Sequence, residues 1–226
     1  MTALSVIIPV LNDSVPLARL LPELQPLRER DAEVIVVDGG GMDDELGSFA
    51  ALTDQILRSA RGRARQMNAG ARIARGRVLW FLHADTRLPA DADWMIRDAL
   101  ASGRDWGRFD VRLSGYHPAL RVVETLMNLR SRLTGIATGD QGLFVTRAAF
   151  KAVGGYPEIA LMEDIALSQR LKRLSRPICL RARLITSSRR WERDGILRTV
   201  LLMWRLRLAY RLGANPDRLA QRYYGA

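Results

Sequence analysis

Val78-Leu79-Trp80-Phe81-Leu82 is an unbroken apolar run that stops abruptly at His83-Ala84-Asp85-Thr86-Arg87. A run of that length suits a strand buried on both faces and is too short for a helix. Strands of this kind belong to parallel sheets covered by helices on both sides. The carboxylate of Asp85 then falls at the strand's carboxyl end, where open α/β sheets bind their ligands. Asp equally caps helices and closes turns, so this stretch alone leaves both roles open.

The same grammar recurs upstream. Ala3–Val10 reads as a first strand, followed by turn and N-cap residues Leu11-Asn12-Asp13-Ser14 and a helix to about Arg30. Glu33–Val37 is a second buried strand, and it runs into Asp38-Gly39-Gly40-Gly41, a second carboxylate beside glycines that let backbone approach a ligand. A short helix near Asp43–Leu52, a brief strand at Gln55–Arg58 and a helix opening at Arg61-Gly62-Arg63-Ala64-Arg65-Gln66 and ending near Gly76 complete the first half. Alternating strands and helices at this spacing predict an α/β fold with a doubly wound, mostly parallel sheet flanked by helices.

Beyond Asp85 the pattern is less regular. Pro89 is expected to open a helix to about Ala101, Arg108–Leu113 alternates as a half-exposed strand, and Pro118–Leu133 has helical apolar spacing that reads as core. Gly139-Asp140-Gln141-Gly142 leads into a strand, and Met162-Glu163-Asp164 opens a helix with two acids in its first turn. Those acids fit a helix dipole as well as they fit a site. Ile178–Leu184 is a further strand, the Ser187–Trp191 stretch a loop, and about Gly195–Gly213 a last long helix whose Leu197, Val200, Leu201, Trp204 and Leu208 share a face. That helix is too short and too charged to span a bilayer, which needs ~20 mostly apolar residues. Packing as core, a homodimer contact, or peripheral contact with a membrane surface are its alternatives, with core or dimer preferred.

Charge is the compositional oddity. From Lys172 onward the chain carries 14 Lys and Arg against three acids, which accounts for the whole net charge of +11. A basic terminal segment suits phosphates, a membrane surface or nucleic acid. Nucleic acid is not expected, because the segment is mostly aliphatic between Trp191, Trp204, Tyr210 and Tyr223-Tyr224. A single cysteine excludes a disulfide framework and a Cys-rich metal site. The apolar start lacks a basic leader and reads as a core strand, not a signal peptide. A reducing cytoplasm is compatible with the single cysteine, and a cytoplasmic protein is the expectation, peripheral at the inner membrane if its last helix binds lipid. The chain is read as one domain over 1–226, with a nucleotide-binding half at 1–88, an acceptor half at 89–190 and basic C-terminal helices at 191–226.

Taken together, these stretches resemble the family 2 glycosyltransferases of the GT-A fold. Ser5-Val6-Ile7-Ile8-Pro9-Val10-Leu11-Asn12 is similar to the family's opening strand and loop, and Val36-Val37-Asp38-Gly39-Gly40 to its Val-Asp-Asp-Gly-Ser turn. Arg65-Gln66-Met67-Asn68-Ala69-Gly70 resembles its Arg-Asn-x-Gly helix start, His83-Ala84-Asp85 its Asp-x-Asp motif, and Glu163-Asp164 its acidic pair. Five motifs in the family's order carry the likeness. The wording of Phe81-Leu82-His83-Ala84-Asp85-Thr86 and Gly139-Asp140-Gln141 looks most like a small soluble bacterial subgroup associated with radical-SAM and selenium-related genes.

The resemblance implies an inverting transfer of a sugar from a nucleotide-diphosphate donor to an acceptor hydroxyl. Asp85, with His83 as the second candidate ligand, would hold a divalent cation, Mn²⁺ or Mg²⁺. Asp38 would receive the nucleotide base, and Pro9, Asn12, Gly39, Arg65, Asn68, Gly70, His83 and Ala84 would complete the nucleotide pocket. Asp164, with Glu163 second, would be the general base. Asp140, Gln141, Arg190 and Trp191 would meet the diphosphate and acceptor, although Arg189–Trp191 is equally a solvated basic loop. Two departures stand out: His83 replaces the first acid of the metal motif, and Gly39 replaces the second Asp of the early turn. Imidazole ligates transition metals or hydrogen-bonds a ribose, and suits Mg²⁺ less than carboxylate does. A nucleotidyltransferase on the same fold is the rival, and Leu11–Ser14 lacks the glycine such a triphosphate loop needs. A non-catalytic protein binding nucleic acid or a membrane surface through its charge is the other alternative.

Overall fold

The computed structural model describes residues 3–41 and 46–225. Seven strands form one sheet: β1 (Leu4–Val10), β2 (Ala32–Asp38), β3 (Gln55–Arg58), β4 (Val78–Phe81), β5 (Trp106–Leu113), β6 (Phe144–Thr146) and β7 (Ile178–Thr186). Their order is β3-β2-β1-β4-β6-β5-β7, with β6 antiparallel to both neighbours and every other pairing parallel. Nine α-helices are described: α1 (Ser14–Glu29), α2 (Arg63–Ile73), α3 (Ala92–Ala101), α4 (Pro118–Thr134), α5 (Arg147–Ala152), α6 (Glu163–Leu171), α7 (Arg189–Asp194), α8 (Ile196–Arg211) and α9 (Pro216–Tyr224).

Apolar runs form the central strands because both faces are covered. Successive side chains of a strand point to opposite faces. Val6 and Ile8 of β1 therefore join a core with Leu17, Leu20, Leu21 and Leu24 of α1, while Ile7 joins Met67 of α2 and Leu167 of α6 on the other face. Each fully buried Leu of α1 contributes ~1.5–3 kcal/mol relative to exposure. Gly70 packs α2 onto the sheet: a Cβ there would lie 2.5 Å from Ile7 Cγ2.

Parallel register brings the strand ends to one edge. Val10 is level with Asp38 across β1 and β2, and Ile7 is level with Phe81 across β1 and β4. The turns that follow β1, β2 and β4 therefore emerge side by side. The expected fold class holds.

Several boundaries differ from expectation. Pro89 does not open a helix; α3 starts at Ala92, after Asp91 at φ +56°. The cause is long-range pairing: Arg87 exchanges backbone hydrogen bonds of 2.8 and 3.0 Å with Ile185. That bridge ties Arg87 to the sheet, and β7 itself runs to Thr186, beyond the expected Leu184, because Ile185 and Thr186 pair with Arg112 and Leu113 of β5. The Ser187–Trp191 loop is cut short by α7. The last helix splits from α9, whose start carries a local signal: Asn215 accepts from the Asp217 N–H at 2.7 Å, with Pro216 in the first turn. The expected helix near Asp43–Leu52 is a 3₁₀ helix at Leu46–Leu52, and residues 43–45 lie outside the described residues.

A core role for the shared face of α8 is corrected for most of its members. Val200 packs against Leu113, Leu120 and Val123, but Leu197, Leu201, Trp204 and Leu208 are 78%, 54%, 63% and 59% exposed. Among the described residues, no helix is long and apolar enough to cross a membrane.

Candidate active site

Two adjoining hollows open at the carboxyl edge of the sheet. The larger, about 780 Å³, is walled by Pro9 at the end of β1, by His83, Ala84 and Asp85 after β4, and by Arg190 and Trp191 of α7. The smaller, about 450 Å³, holds Glu163 and Asp164 at the start of α6. Arg63, His83, Asp140, Trp191, Met203 and Tyr223 line both, so the two are continuous.

A short chain of contacts ties the hollows together. His83 Nδ1 lies 3.4 Å from the Asp140 carboxylate. Gly139, next in line, donates its N–H to Asp164 Oδ2 at 2.8 Å. The imidazole rests against Gly139 so closely that a Cβ there would sit 2.5 Å from Nε2. Glycine is thus required at 139 for His83 to occupy this place.

The acids differ in character. Burial first, and the neighbouring Asp164 second, push the Glu163 carboxyl up to about 7. Met162, which precedes it, is buried and left-handed at φ +72°, a conformation uncommon for a long side chain. Desolvation by the cleft walls raises the Asp85 carboxyl, with Asp140 adding to the rise and His83 opposing it. Although burial works against it, the His83 hydrogen bond holds Asp140 below the usual carboxylate range.

Asp85 accepts no hydrogen bond from the described residues. A cation would relieve the crowding between Asp85 and Asp140, and in that sense the donors fit a hard divalent ion. Among the described residues, however, no group of three His, Cys, Asp or Glu is placed to hold a metal. A bound divalent ion would have only one or two ligands from the chain here and would take the others from substrate oxygens and water, as is usual for Mg²⁺.

Other residues singled out in the sequence lie away from both hollows. Asp38 is fully buried at the end of β2, and neither carboxylate oxygen has a partner among the described residues. Asn12, left-handed at φ +55°, lays its amide over Gly41, so closely that a Cβ there would meet it. Gly39 abuts Gln66, whose amide donates to the carbonyls of Val10 (2.7 Å) and Val37 (2.8 Å) and pins the ends of β1 and β2 together. Asn68 exchanges hydrogen bonds of 2.8 and 3.0 Å with the backbone of Tyr156, and Gly70 serves helix–sheet packing. Gln141 is fully buried, its side-chain oxygen 3.2 Å from the Thr138 N–H that it accepts from. Arg65 points to solvent and pairs with Glu158 at 3.3 Å.

Sequence reasoning missed Arg63. Two residues along a helix are ~200° apart, so Arg63 and Arg65 face opposite ways, and Arg63 is the one that reaches both hollows. The positive φ of Gly62, +135°, sets that phase. Arg190 is in the expected place but not free: it donates to the Tyr223 carbonyl at 2.6 Å and stacks 3.6 Å from the Tyr223 ring, fastening α9 over the cleft.

Comparison with known proteins follows the same division. The fold is GT-A, shared with S. aureus TarS. A structure of TarS 1-349 aligns with a TM-score of 0.68 at 17% identity, covering 82% of this chain and 60% of that one. TarS 1-349 in complex with UDP-GlcNAc aligns at 0.67 and 17%, covering 82% and 58%. A longer TarS structure aligns at 0.67 and 16%, and this chain spans 36% of it. Residues 5–115 match the family described as Glycosyl transferase family 2, which is the part of the chain carrying β1 to β5 and the turn with Asp85. No curated protein matches the chain in sequence.

Proposed function

We propose that the chain is an inverting glycosyltransferase that uses a nucleotide-diphosphate sugar and a general base. The observation that carries this reading is the pairing of two unlike hollows. One holds Arg63 and Asp85 at the end of β4, the other the acid pair Glu163–Asp164 at the start of α6, and His83, Asp140 and Gly139 stand between them. The family match over residues 5–115 and the UDP-GlcNAc held by TarS support a nucleotide-sugar donor.

In this reading the donor's diphosphate lies against Arg63 and Asp85, and its sugar points toward the smaller hollow. Asp85 would hold a divalent cation, which supplies charge neutralisation of the diphosphate when bound. Asp164, fixed by the Gly139 N–H, takes the proton from the acceptor hydroxyl. The acceptor oxygen then bonds to the anomeric carbon while the bond from that carbon to the diphosphate breaks, and the diphosphate leaves with the electron pair. A single displacement of this kind inverts the carbon and needs no covalent nucleophile. Asp38 would receive the base of the nucleotide only on opening of the turn after β2, since it is fully buried and lines neither hollow; the base would then satisfy its two orphaned oxygens. The radical-SAM-associated subgroup likeness belongs to this proposal as well, resting on residues 81–86 and 139–141.

A thermal-shift screen of UDP-, GDP- and dTDP-sugars with Mn²⁺ tests the donor class. One nucleotide class is expected to raise Tm with saturation, UDP foremost. No shift with any of them contradicts the proposal.

A further inference from the structure

The smaller hollow contains two cations that its place beside the acid pair does not explain. Arg130 of α4 and Arg207 of α8 both line it, and neither side chain makes a hydrogen bond or ion pair among the described residues. Nε of both, and Nη2 of Arg130, are shielded from water without a partner. Such groups are costly to leave unpaired. Burial first, and Arg207 second, lower Arg130 to about 10. Burial lowers Arg207 as well, against the pull of Asp164 and Asp140. Asp164 and Asp140 share the pocket, yet neither bonds to these guanidinium groups, so the buried nitrogens are left open to an anion from outside.

The side of the pocket formed by α4 and α8 is otherwise apolar. Leu126 and Met127 of α4 face Val200 and Trp204 of α8 across it. Leu126 and Trp204 are also 52% and 63% exposed, and the apolar wall continues outside along Leu129 and Leu133 of α4 and Leu201 and Leu208 of α8. An apolar lane therefore runs from open solvent to a pair of guanidinium groups next to Asp164.

We propose that this pocket takes an acceptor that is an amphiphile, with a phosphate on Arg130 and Arg207 and an apolar chain along the α4–α8 lane. Two guanidinium groups match a dianionic phosphate monoester better than a singly charged carboxylate. Asp164 lines the same pocket, so an acceptor seated there by its phosphate would present a hydroxyl on its head group to that carboxylate. The inference rests on the glycosyltransferase reading and deepens it by naming the class of acceptor.

Calorimetric titration with octyl phosphate below its micelle concentration tests this, with UDP and Mn²⁺ titrated separately on the same protein. Octyl phosphate is expected to bind saturably, at least tenfold more tightly than octyl glucoside, inorganic phosphate or octanoate. The double variant Arg130→Gln/Arg207→Gln is expected to lose at least tenfold of that affinity and to keep UDP affinity within about twofold. Trp204→Ala, at an exposed position, is expected to weaken octyl phosphate severalfold without touching UDP, and stands in should the double variant not fold. Octyl phosphate binding no better than octyl glucoside, or unmoved by these variants while UDP binds, overturns the acceptor assignment and leaves the donor reading intact. Octanoate binding as tightly as octyl phosphate overturns the phosphate. Octyl phosphate binding with no UDP binding at all removes the glycosyltransferase reading, and the acceptor role falls with it.

Discussion

Asp164→Asn is expected to slow sugar transfer by about 10²–10⁴-fold, the range for removal of a general base, while donor affinity stays within about twofold. The amide is isosteric with the carboxylate, and its oxygen can still accept from the Gly139 N–H, so the turn between the two hollows is retained. What is lost is the capacity to take a proton from the acceptor. Asp164 lines the smaller hollow and not the larger, which is why binding of the nucleotide is expected to survive. Release of nucleotide diphosphate measured under saturating donor decides the matter. Turnover within tenfold of the unaltered protein removes Asp164 as the base.

Glu163→Gln is expected to stabilise the protein and to impair it. The folded chain holds this proton up to about pH 7, whereas an ordinary Glu loses it near 4.5. Folding therefore binds a proton between those values, and stability falls as pH rises through that window. A neutral Gln escapes the loss. At pH 8 the gain is on the order of 2–3 kcal/mol, a Tm rise of roughly 5 °C or more for a chain of this size, and it vanishes at pH 4.5. Transfer by the unaltered protein is expected to rise with pH through about 7, as ionised Glu163 adds negative charge beside the proton that the acceptor gives up; this limb is expected to disappear in the variant. Melting curves at pH 5 and pH 8 test the first part, and a pH–rate profile the second. A Tm difference that does not widen with pH contradicts the buried-acid account.

How much of this was legible in the residues follows from what sets each feature. The runs at Val6–Ile8, Val34–Val37 and Leu79–Leu82 had to be buried strands, and the acids after them had to emerge at one edge once the sheet was parallel. That local logic places His83 and Asp85 at the cleft. It does not place Arg63, whose direction depends on the exact start of α2. It misreads Asn68, because its partner, Tyr156, lies 88 residues away. Pro89 looked like a helix start until Arg87 was paired with Ile185, a contact no local pattern announces. Arg130 and Arg207 belong to helices that look like ordinary amphipathic segments, and their meeting in one hollow beside Asp164 appears only when α4 and α8 are brought together.

The account depends most on Asp85 and Arg63 receiving a nucleotide diphosphate in the larger hollow, and a calorimetric titration of UDP with Mn²⁺, repeated with a chelator and with Asp85→Asn, tests this most directly. Saturable binding that weakens at least tenfold on chelation, and to a similar degree in the variant, is the predicted result. UDP bound equally well in all three titrations, or in none of them, contradicts it.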